Sequence, residues 1–478
     1  MDNVIPTFVV IGHTNEGKSS IVSTLVADDQ ISISDAPRTT KECQVYKVYV
    51  LDEHIFTLID TPGFENAPRM ERWMRSEQKE GELGIDVLRR FLDIHKDDPR
   101  FLQEYRLLQP VLNGAGVLYV IDGSHPYRPK YEKELEILRL SGRGMIGLIN
   151  DKDNGQYVDE WRTRLRQWCS LTRYFNAHKS NFQNRLELLS GLRELYDEWR
   201  SPIDHAISCL QNERSIQYDR AAELISNMLI EMVSTRMIET VRDDQELRTL
   251  RKEIENKFHD KLRDIEQKCR RKVELIFRFQ DITLQEEVIA KPIFEHDLFS
   301  EEVFAELGLT INQVLFVSSV TGGVTGGTVD AFVGGASFGT GAVLGTLLGG
   351  AAGVYYLSER LQVATLVKDK RWNMLIRKQS DPQPTQFQIG PHRNPNFGAI
   401  ILDRAILHTQ SIMQRSHGNR SELDLSDVHG IEAIKYTKLL DNRELKSLEK
   451  IFAQARKKGK VKQGDQIHLI KIIRSMIE

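Results

Sequence analysis

The sequence predicts a doubly wound α/β domain with a mostly parallel sheet over residues 1–200, followed by a mainly α-helical region with a glycine-zipper helical hairpin. Three observations carry this. Short apolar runs alternate with helix-like stretches from residue 7 to residue 200, a pattern that builds parallel sheets. From Pro202 to about Glu306 the apolar period is helical. Between Gly308 and Leu357 the charge disappears except for Asp330, and twelve glycines fall between Gly322 and Gly353. A chain of 478 residues is too long for one hydrophobic core. The expected divisions are 1–200, 201–308, 309–358 and 359–478.

Strands are expected at Thr7 to Ile11, Cys43 to Leu51, Ile55 to Ile59, Gly116 to Ile121, Met145 to Ile149 and Thr172 to Phe175. The long charged stretch from Phe64 to Ala115 reads as helical. It is expected to be a solvated insert, with a partner surface as the alternative. Leu247, Leu250, Ile254, Phe258, Leu262, Ile265, Cys269, Val273 and Ile276 advance by threes and fours, which places one apolar stripe on a long charged helix. Core or hairpin packing is the favoured use of that stripe over a partner groove. The region after Ser358 reads as mostly helical, with an irregular connector around Asp381 to Phe397 and a basic helical tail bearing Arg456, Lys457, Lys458, Lys460 and Lys462.

Composition excludes little. Lys and Arg total 65 against 68 for Asp and Glu, so charge balance gives no warrant for a nucleic-acid or acidic-substrate partner. Cys43, Cys169, Cys209 and Cys269 are scattered without CxxC or Cys/His spacing, which fits a reducing compartment and ordinary thiols. The opening MDNVIPTFVVIG lacks a basic n-region and runs into a nucleotide motif, so a signal peptide is not expected and the cytoplasm is the expected location.

That motif is Gly12-His13-Thr14-Asn15-Glu16-Gly17-Lys18-Ser19, which matches GxxxxGK(S/T) after a β-run and before the helix-like Ser20 to Val26. Its glycines let the backbone N–H groups of Gly12 to Ser20 approach the α- and β-phosphates, with a helix N-terminus adding its positive end. Lys18 is expected at the β/γ oxygens and Ser19 on magnesium. Average composition yields this pattern by chance in a chain this long only about 2% of the time. Forty-one residues later, Asp60-Thr61-Pro62-Gly63 ends a strand in the arrangement of a magnesium and γ-phosphate sensor: Asp60 for the ion, the Gly63 amide for the phosphate. Between them, Ala36-Pro37-Arg38-Thr39-Thr40-Lys41 offers hydroxyls to the ion, with Thr40 the first choice and Thr39 the alternative.

These residues resemble the Era and TrmE branch of translation-factor-related GTPases, in which a first-switch threonine precedes a basic residue and the third motif reads DTPG. The resemblance covers the first 200 residues and implies an α/β P-loop GTPase domain that takes GTP or GDP with Mg2+. It implies that Asn150 and Asp153 stand for the guanine-recognising NKxD, with Asp151 in the lysine position, and that Ala177 in Phe175-Asn176-Ala177-His178-Lys179 matches the fifth, base-contacting motif. It also implies K+ beside the phosphates through Asn15. Phe64 follows Gly63 where Ras-type switches carry a water-orienting glutamine, so slow intrinsic hydrolysis is expected, stimulated by a partner or by self-association as a homodimer or oligomer through the GTPase domain or the helical region.

Gly341, Gly345, Gly349 and Gly353 recur at every fourth residue, so on a helix they form one side-chain-free groove. Each helix-interior glycine costs about 1 kcal/mol relative to alanine in water, which close packing or lipid must offset. Ala331 to Leu357 is 27 uncharged residues, enough for a membrane span, and Leu309 to Val329 offers a second. The sequence favours a lipid-inserted hairpin at the cytoplasmic face of the inner membrane, with lipid or a membrane protein as partner. A soluble, tightly packed hairpin is the alternative. Further on, Gln388 to Phe397 and Arg415 to Arg420 cluster basic and amide groups around His392 and His417, for which surface salt links are favoured over phosphate binding in trans. Together with the front end, they resemble an uncharacterised bacterial family of GTPases fused to a C-terminal domain of unknown function. A ribosome- or RNA-associated role like that of Era, and a membrane scaffold that binds GTP with little hydrolysis, are the alternatives to a regulatory switch.

Overall fold

The computed structural model describes residues 5–27, 42–151, 155–177, 179–241, 244–279, 385–392, 397–417 and 436–478. Thr39, Thr40, Asp153 and all of 309–358 lie outside the described residues. The chain divides into two compact units.

The first unit takes residues up to Gln217 and gains the described residues 277–279 and 412–417. Six strands form one sheet: β1 (Thr7–Gly12), β2 (Gln44–Val50), β3 (Glu53–Asp60), β4 (Gly116–Asp122), β5 (Met145–Asn150) and β6 (Leu171–Tyr174). Their order is β2-β3-β1-β4-β5-β6. Only β2 runs antiparallel, joined to β3 by a two-residue turn in which Leu51 (φ 47°) and Asp52 (φ 68°) are both left-handed. All six expected strands are present, with ends that differ by one or two residues. β4 and β5 are buried along their whole length, as strands covered on both faces must be.

One face of the sheet carries α1 (Lys18–Val26), α7 (Phe182–Arg193) and the start of α8 (Arg200–Ser234), packed on Phe8, Val10, Leu58, Leu118 and Leu148. The other carries α2 (Ala67–Glu77), α3 (Gly84–Ile94), α4 (Leu102–Leu112), α5 (Pro129–Leu140) and α6 (Val158–Leu165). The stretch from Phe64 to Ala115 is helical as expected, but it is no solvated insert. Met70, Met74, Val87, Leu88, Phe91, Leu107, Leu108 and Val111 are buried with Val9, Ile11, Val117 and Tyr119 of the sheet. Apart from the buried Glu71 and Glu104, most charges of these helices occupy the outer faces, and the apolar stripes beneath them supply much of that core.

The second unit holds the remainder of α8, β7 (Met237–Val241), α9 (Asp244–Ile276), β8 (Thr385–Ile389), most of α10 (Phe397–Gln414), α11 (Asn442–Lys458) and α12 (Gln463–Ile477). The expected apolar stripe lies on α9, and Ile254, Phe258, Leu262, Ile265, Cys269 and Val273 are buried. Two expectations need correction. The region after Pro202 is not helical throughout, because Met237–Val241 pairs antiparallel with Thr385–Ile389 out of the expected irregular connector. Each strand is only five residues and its partner lies far along the chain, so neither has a local signal that competes with the flanking helices. The basic tail is also interrupted: α11 stops at Gly459 (φ 71°), whose N–H bonds to Ala455 O, and α12 begins beyond Lys462. Among the described residues no helix is long and apolar enough to cross a membrane.

Candidate nucleotide site

The loop after β1 sits at the carboxyl end of the sheet, where the chain passes from β1 to β3 on one side and later to β4 on the other. This is the crevice where open α/β sheets receive ligands. Asn15 (φ 69°) and Gly17 (φ 86°) are both left-handed, and Gly17 is the N-cap of α1. Asparagine tolerates that conformation better than most side chains, and glycine has no cost there. The loop therefore turns its backbone toward the start of α1, the geometry that gathers N–H groups for an anion. Lys18 is buried, and its Nζ donates to His13 O at 2.7 Å, so the ammonium folds across the mouth of its own loop.

Ser19 and Asp60, which lie 41 residues apart in sequence, meet here. Ser19 Oγ donates to Asp60 Oδ2 at 2.7 Å. Asp60 is buried at the end of β3, and the next residue anchors the turn, with Thr61 Oγ1 donating to Val10 O at 2.7 Å. Gly63 is required by contact. A Cβ there would sit 2.6 Å from Thr14 N, so any side chain would push the third motif off the first. Gly12 is required for a different reason, since its Cβ would lie 2.2 Å from Val120 O of β4. Its place is set by strand packing. Phe64 is buried in the core and bridges to His13, so no side chain from that position faces the loop's mouth.

Glu16, expected on the phosphates through its backbone, uses its side chain elsewhere. Its carboxylate points away from the crevice, where it accepts from Asp122 N and from Tyr131 Oη (2.7 Å), and only its backbone remains on the loop side. Burial pushes its pKa up, against the pull of those two donors. Beside it, His13 Nδ1 lies 2.8 Å from Glu134 Oε1, and Tyr119 Oη donates to Glu134 Oε2 at 2.7 Å. These buried polar groups brace the loop from behind. Their residues, from β4 and α5, carry no motif, and only the rarity of a buried glutamate on an apolar helix face hints at them.

Asn150 also does more than expected. It is fully buried at the end of β5; its Nδ2 donates to Glu16 O at 3.1 Å, and its Oδ1 accepts from Ala177 N at 3.1 Å. One amide thus joins the first, fourth and fifth motifs. Asp151, in the lysine position, turns its carboxylate to Gly155 N (2.7 Å) and Tyr174 Oη (2.8 Å). Ala177 O in turn accepts from Thr24 Oγ1 of α1 at 3.0 Å and from Ser416 Oγ. Ser23 Oγ donates to His417 O at 2.9 Å, and the His417 ring stacks on Phe279 at 4.0 Å. The segment around Ser416 and His417 is buried against α1 and the fifth motif within the first unit, which corrects the expectation of surface salt links. His392, in the second unit, is likewise buried, and burial together with His259 and Arg456 pushes its pKa down to about 3. Ser20 is buried in the first turn of α1.

The donors fit the group that the motifs imply. A hydroxyl and a carboxylate converge in hydrogen-bonding range beside a buried lysine and a left-handed glycine turn, the oxygen-rich, backbone-lined setting that a magnesium-bound triphosphate requires.

The profile of a family described as a domain of unknown function (DUF3482) matches residues 162–471, well over half the chain. The chain belongs to this family. A second profile, described as a 50S ribosome-binding GTPase, matches residues 7–150, the part that carries β1 to β5. Among curated relatives, a GTPase Der from Marinomonas sp. (strain MWYL1) is 41% identical over 203 residues, which is 41% of this chain and 38% of that protein. A tRNA modification GTPase MnmE from Helicobacter pylori (strain HPAG1) is 22% identical over 217 residues, 43% of this chain and 46% of that protein. The chain spans less than half the length of these relatives. Of solved structures, Era in complex with MgGDPNP and nucleotides 1506–1542 of 16S ribosomal RNA aligns at 15% identity with a TM-score of 0.28, covering 58% of this chain and 90% of that one. This DUF3482 member thus opens with a GTP-binding GTPase domain related to Der and MnmE, on the P-loop GTPase fold, followed by a helical region.

Proposed function

We propose that this protein is a GTP-hydrolysing switch whose nucleotide state is passed to its helical region. The observation that carries the reading is the Ser19–Asp60 hydrogen bond, which brings the first and third motifs to one point. Ser19, Asp60 and Thr40 hold magnesium, with Thr39 the alternative for the last. Lys18 and the backbone of Gly12, Asn15, Glu16, Gly17, Ser19 and Ser20 hold the phosphates, while the Gly63 amide senses the γ-phosphate. Asn150, Asp153 and Ala177 form the guanine end. Bound magnesium supplies charge neutralisation on the transferring phosphoryl group. The protein's own part is to orient and to exclude water, with no covalent intermediate.

Phe64, sequestered in the core, leaves no residue of its own to orient a water, so turnover is slow until self-association or a partner completes the site. Asn15, held at φ 69° on the loop, supplies a K+ ligand beside the phosphates. The 309–358 segment, whose one charge is Asp330, engages lipid at the cytoplasmic face of the inner membrane. A second reading, ribosome or RNA association, is favoured by the exposed Lys457, Lys458, Lys460 and Lys462 around the end of α11. A third, a membrane scaffold that binds GTP with little hydrolysis, rests on Phe64 alone.

Calorimetry of the full chain with GTP or GDP and Mg2+, beside Lys18→Ala, tests the core of this. Uptake by the wild type and its loss in the variant are expected. No uptake, or undiminished uptake by Lys18→Ala, overturns the reading. Hydrolysis at equal rates in Na+ and K+ removes the potassium role, and an absence of single-turnover hydrolysis leaves the scaffold. Flotation with vesicles of anionic phospholipid supports the membrane reading, whereas salt-sensitive co-sedimentation with ribosomes in its place supports the second.

A further inference from the structure

On the first unit, away from the nucleotide loops, three side chains of different chemistry converge. Glu53 is the first residue of β3, fixed by the tight turn through Leu51 and Asp52. His205 and Cys209 are four residues apart on α8, so they share one face of the helix. On the neighbouring face Ile203, Ala206 and Leu210 are buried against the sheet, which fixes how that first stretch of α8 is rotated. His205 Nε2 lies 2.8 Å from Glu53 Oε1 and 3.5 Å from Cys209 Sγ, and Cys209 Sγ lies 4.0 Å from Glu53 Oε2. Glu53 and His205 are exposed, and Cys209 is partly so.

We propose that Glu53, His205 and Cys209 form a zinc site that clamps the start of β3 to α8, with water completing the coordination. Tetrahedral zinc, with bonds of about 2.0–2.3 Å to nitrogen, oxygen and sulfur, holds its ligand atoms about 3.3–3.8 Å apart. The observed separations of 2.8, 3.5 and 4.0 Å bracket that range. Small rotations of exposed side chains close the difference, with no backbone movement. A thiol and an imidazole beside one carboxylate select a borderline-soft ion over magnesium or calcium, which take oxygen ligands. Three protein ligands on an accessible surface leave the fourth position to solvent. As zinc binds, the Cys209 thiol proton passes to solvent and the sulfur coordinates as thiolate. The clamp has a direct structural consequence: β3 begins at Glu53 and ends at Asp60, so the ion ties the strand that delivers the third motif to the helix that leaves the unit. Without an ion the three residues are a Glu–His hydrogen-bonded pair with a thiol beside it.

The test is titration of the full chain with Zn2+ alone, in buffer with excess Mg2+ and GDP to saturate the nucleotide loops, beside Cys209→Ser and His205→Ala. One equivalent is expected for the wild type. Each variant should bind at least as much more weakly as the roughly 10–100-fold that disturbing an outer-shell partner costs. Co2+ in place of Zn2+ should give a thiolate charge-transfer band in the wild type that Cys209→Ser lacks, a signature that distinguishes ligation from loss of fold. No uptake by the wild type, equal uptake by both variants, or a cobalt spectrum without the thiolate band overturns the proposal. Circular dichroism of the variants in the metal-free state confirms that both are folded. If either is not, protection of Cys209 from iodoacetamide by Zn2+ in the wild type decides, and an unprotected thiol overturns the proposal.

Discussion

Asn150 shows how much one buried side chain can coordinate. Its amide has a donor and an acceptor end, and both are committed to backbone of other motifs, to Glu16 O and from Ala177 N. Alanine there leaves a carbonyl and an N–H buried without partners, and each orphan costs about 1–3 kcal/mol. Asn150→Ala should therefore lower the urea midpoint of the nucleotide-free protein as well as weaken GDP binding in calorimetry. Weakened binding at unchanged stability would show that the side chain serves the ligand and not the loops. The motif was legible in the sequence, but its bracing role was not, because it depends on a carbonyl 134 residues away. Glu16 is a like case: its place in the loop was legible, whereas the buried cluster that its carboxylate forms with Tyr131 and Asp122 N was not.

At the scale of elements, the inserted helices α2 to α4 determine how the third motif is presented. Glu104, fully buried on α4, accepts from Glu65 N at 2.9 Å and Asn66 N at 2.5 Å, immediately after Gly63 and at the start of α2. Burial pushes its pKa up, opposed by those N–H donors. Hydrogen bonds to a charged acceptor contribute about 1.5–3 kcal/mol each. Glu104→Ala should cost about 2–4 kcal/mol in urea denaturation. It should also speed amide exchange at residues 64–67, an effect that distinguishes loosening of this loop from a general loss of core. Glu104→Gln, which keeps an acceptor oxygen, should show less of both. The six strands were readable from short apolar runs and these helices from their period. Which face of each helix was wanted by the sheet was not readable, because the charges that suggest solvent sit on the same helices as the stripes that fill the core.

For the molecule as a whole, the family region contributes to both units, and the second has its own electrostatic dependence. Glu266 of α9 is buried and receives Arg404 through bonds of 2.9–3.0 Å, with Arg270 also on it. Burial alone would raise its pKa, but the two guanidiniums overcome that and bring it down to about 2. A carboxyl whose folded pKa lies below its unfolded value stabilises the fold above the unfolded value of 4.5 and loses that contribution as pH falls through about 2. The contribution is about 3 kcal/mol. His392, held neutral by burial, acts in the same direction: its share is present above 6.5 and declines as pH falls toward about 3. Acid titration followed by far-UV circular dichroism should therefore show helix loss in the second unit. Four of the five tryptophans, at 73, 161, 168 and 199, lie in the first unit, so fluorescence of a Trp372→Phe variant reports on that unit separately. Glu266→Gln should flatten the profile between pH 4.5 and 2 while costing about 3–5 kcal/mol at neutral pH, because it strands buried guanidinium charge. An unchanged pH profile in that variant would refute the assignment.

The sequence by itself determined the strand-loop-helix order, the spacing of the nucleotide motifs and the apolar stripe of α9. Each rests on local period or on a short run of residue types whose chemistry is fixed by neighbours in the chain. The tertiary structure alone decided that Asn150 binds three loops together, that Met237–Val241 finds a partner at Thr385–Ile389, and that Ser416 and His417 return to α1. These are pairings across tens to hundreds of residues. They follow from burying polar groups only where a partner waits, a condition that no local window of sequence contains.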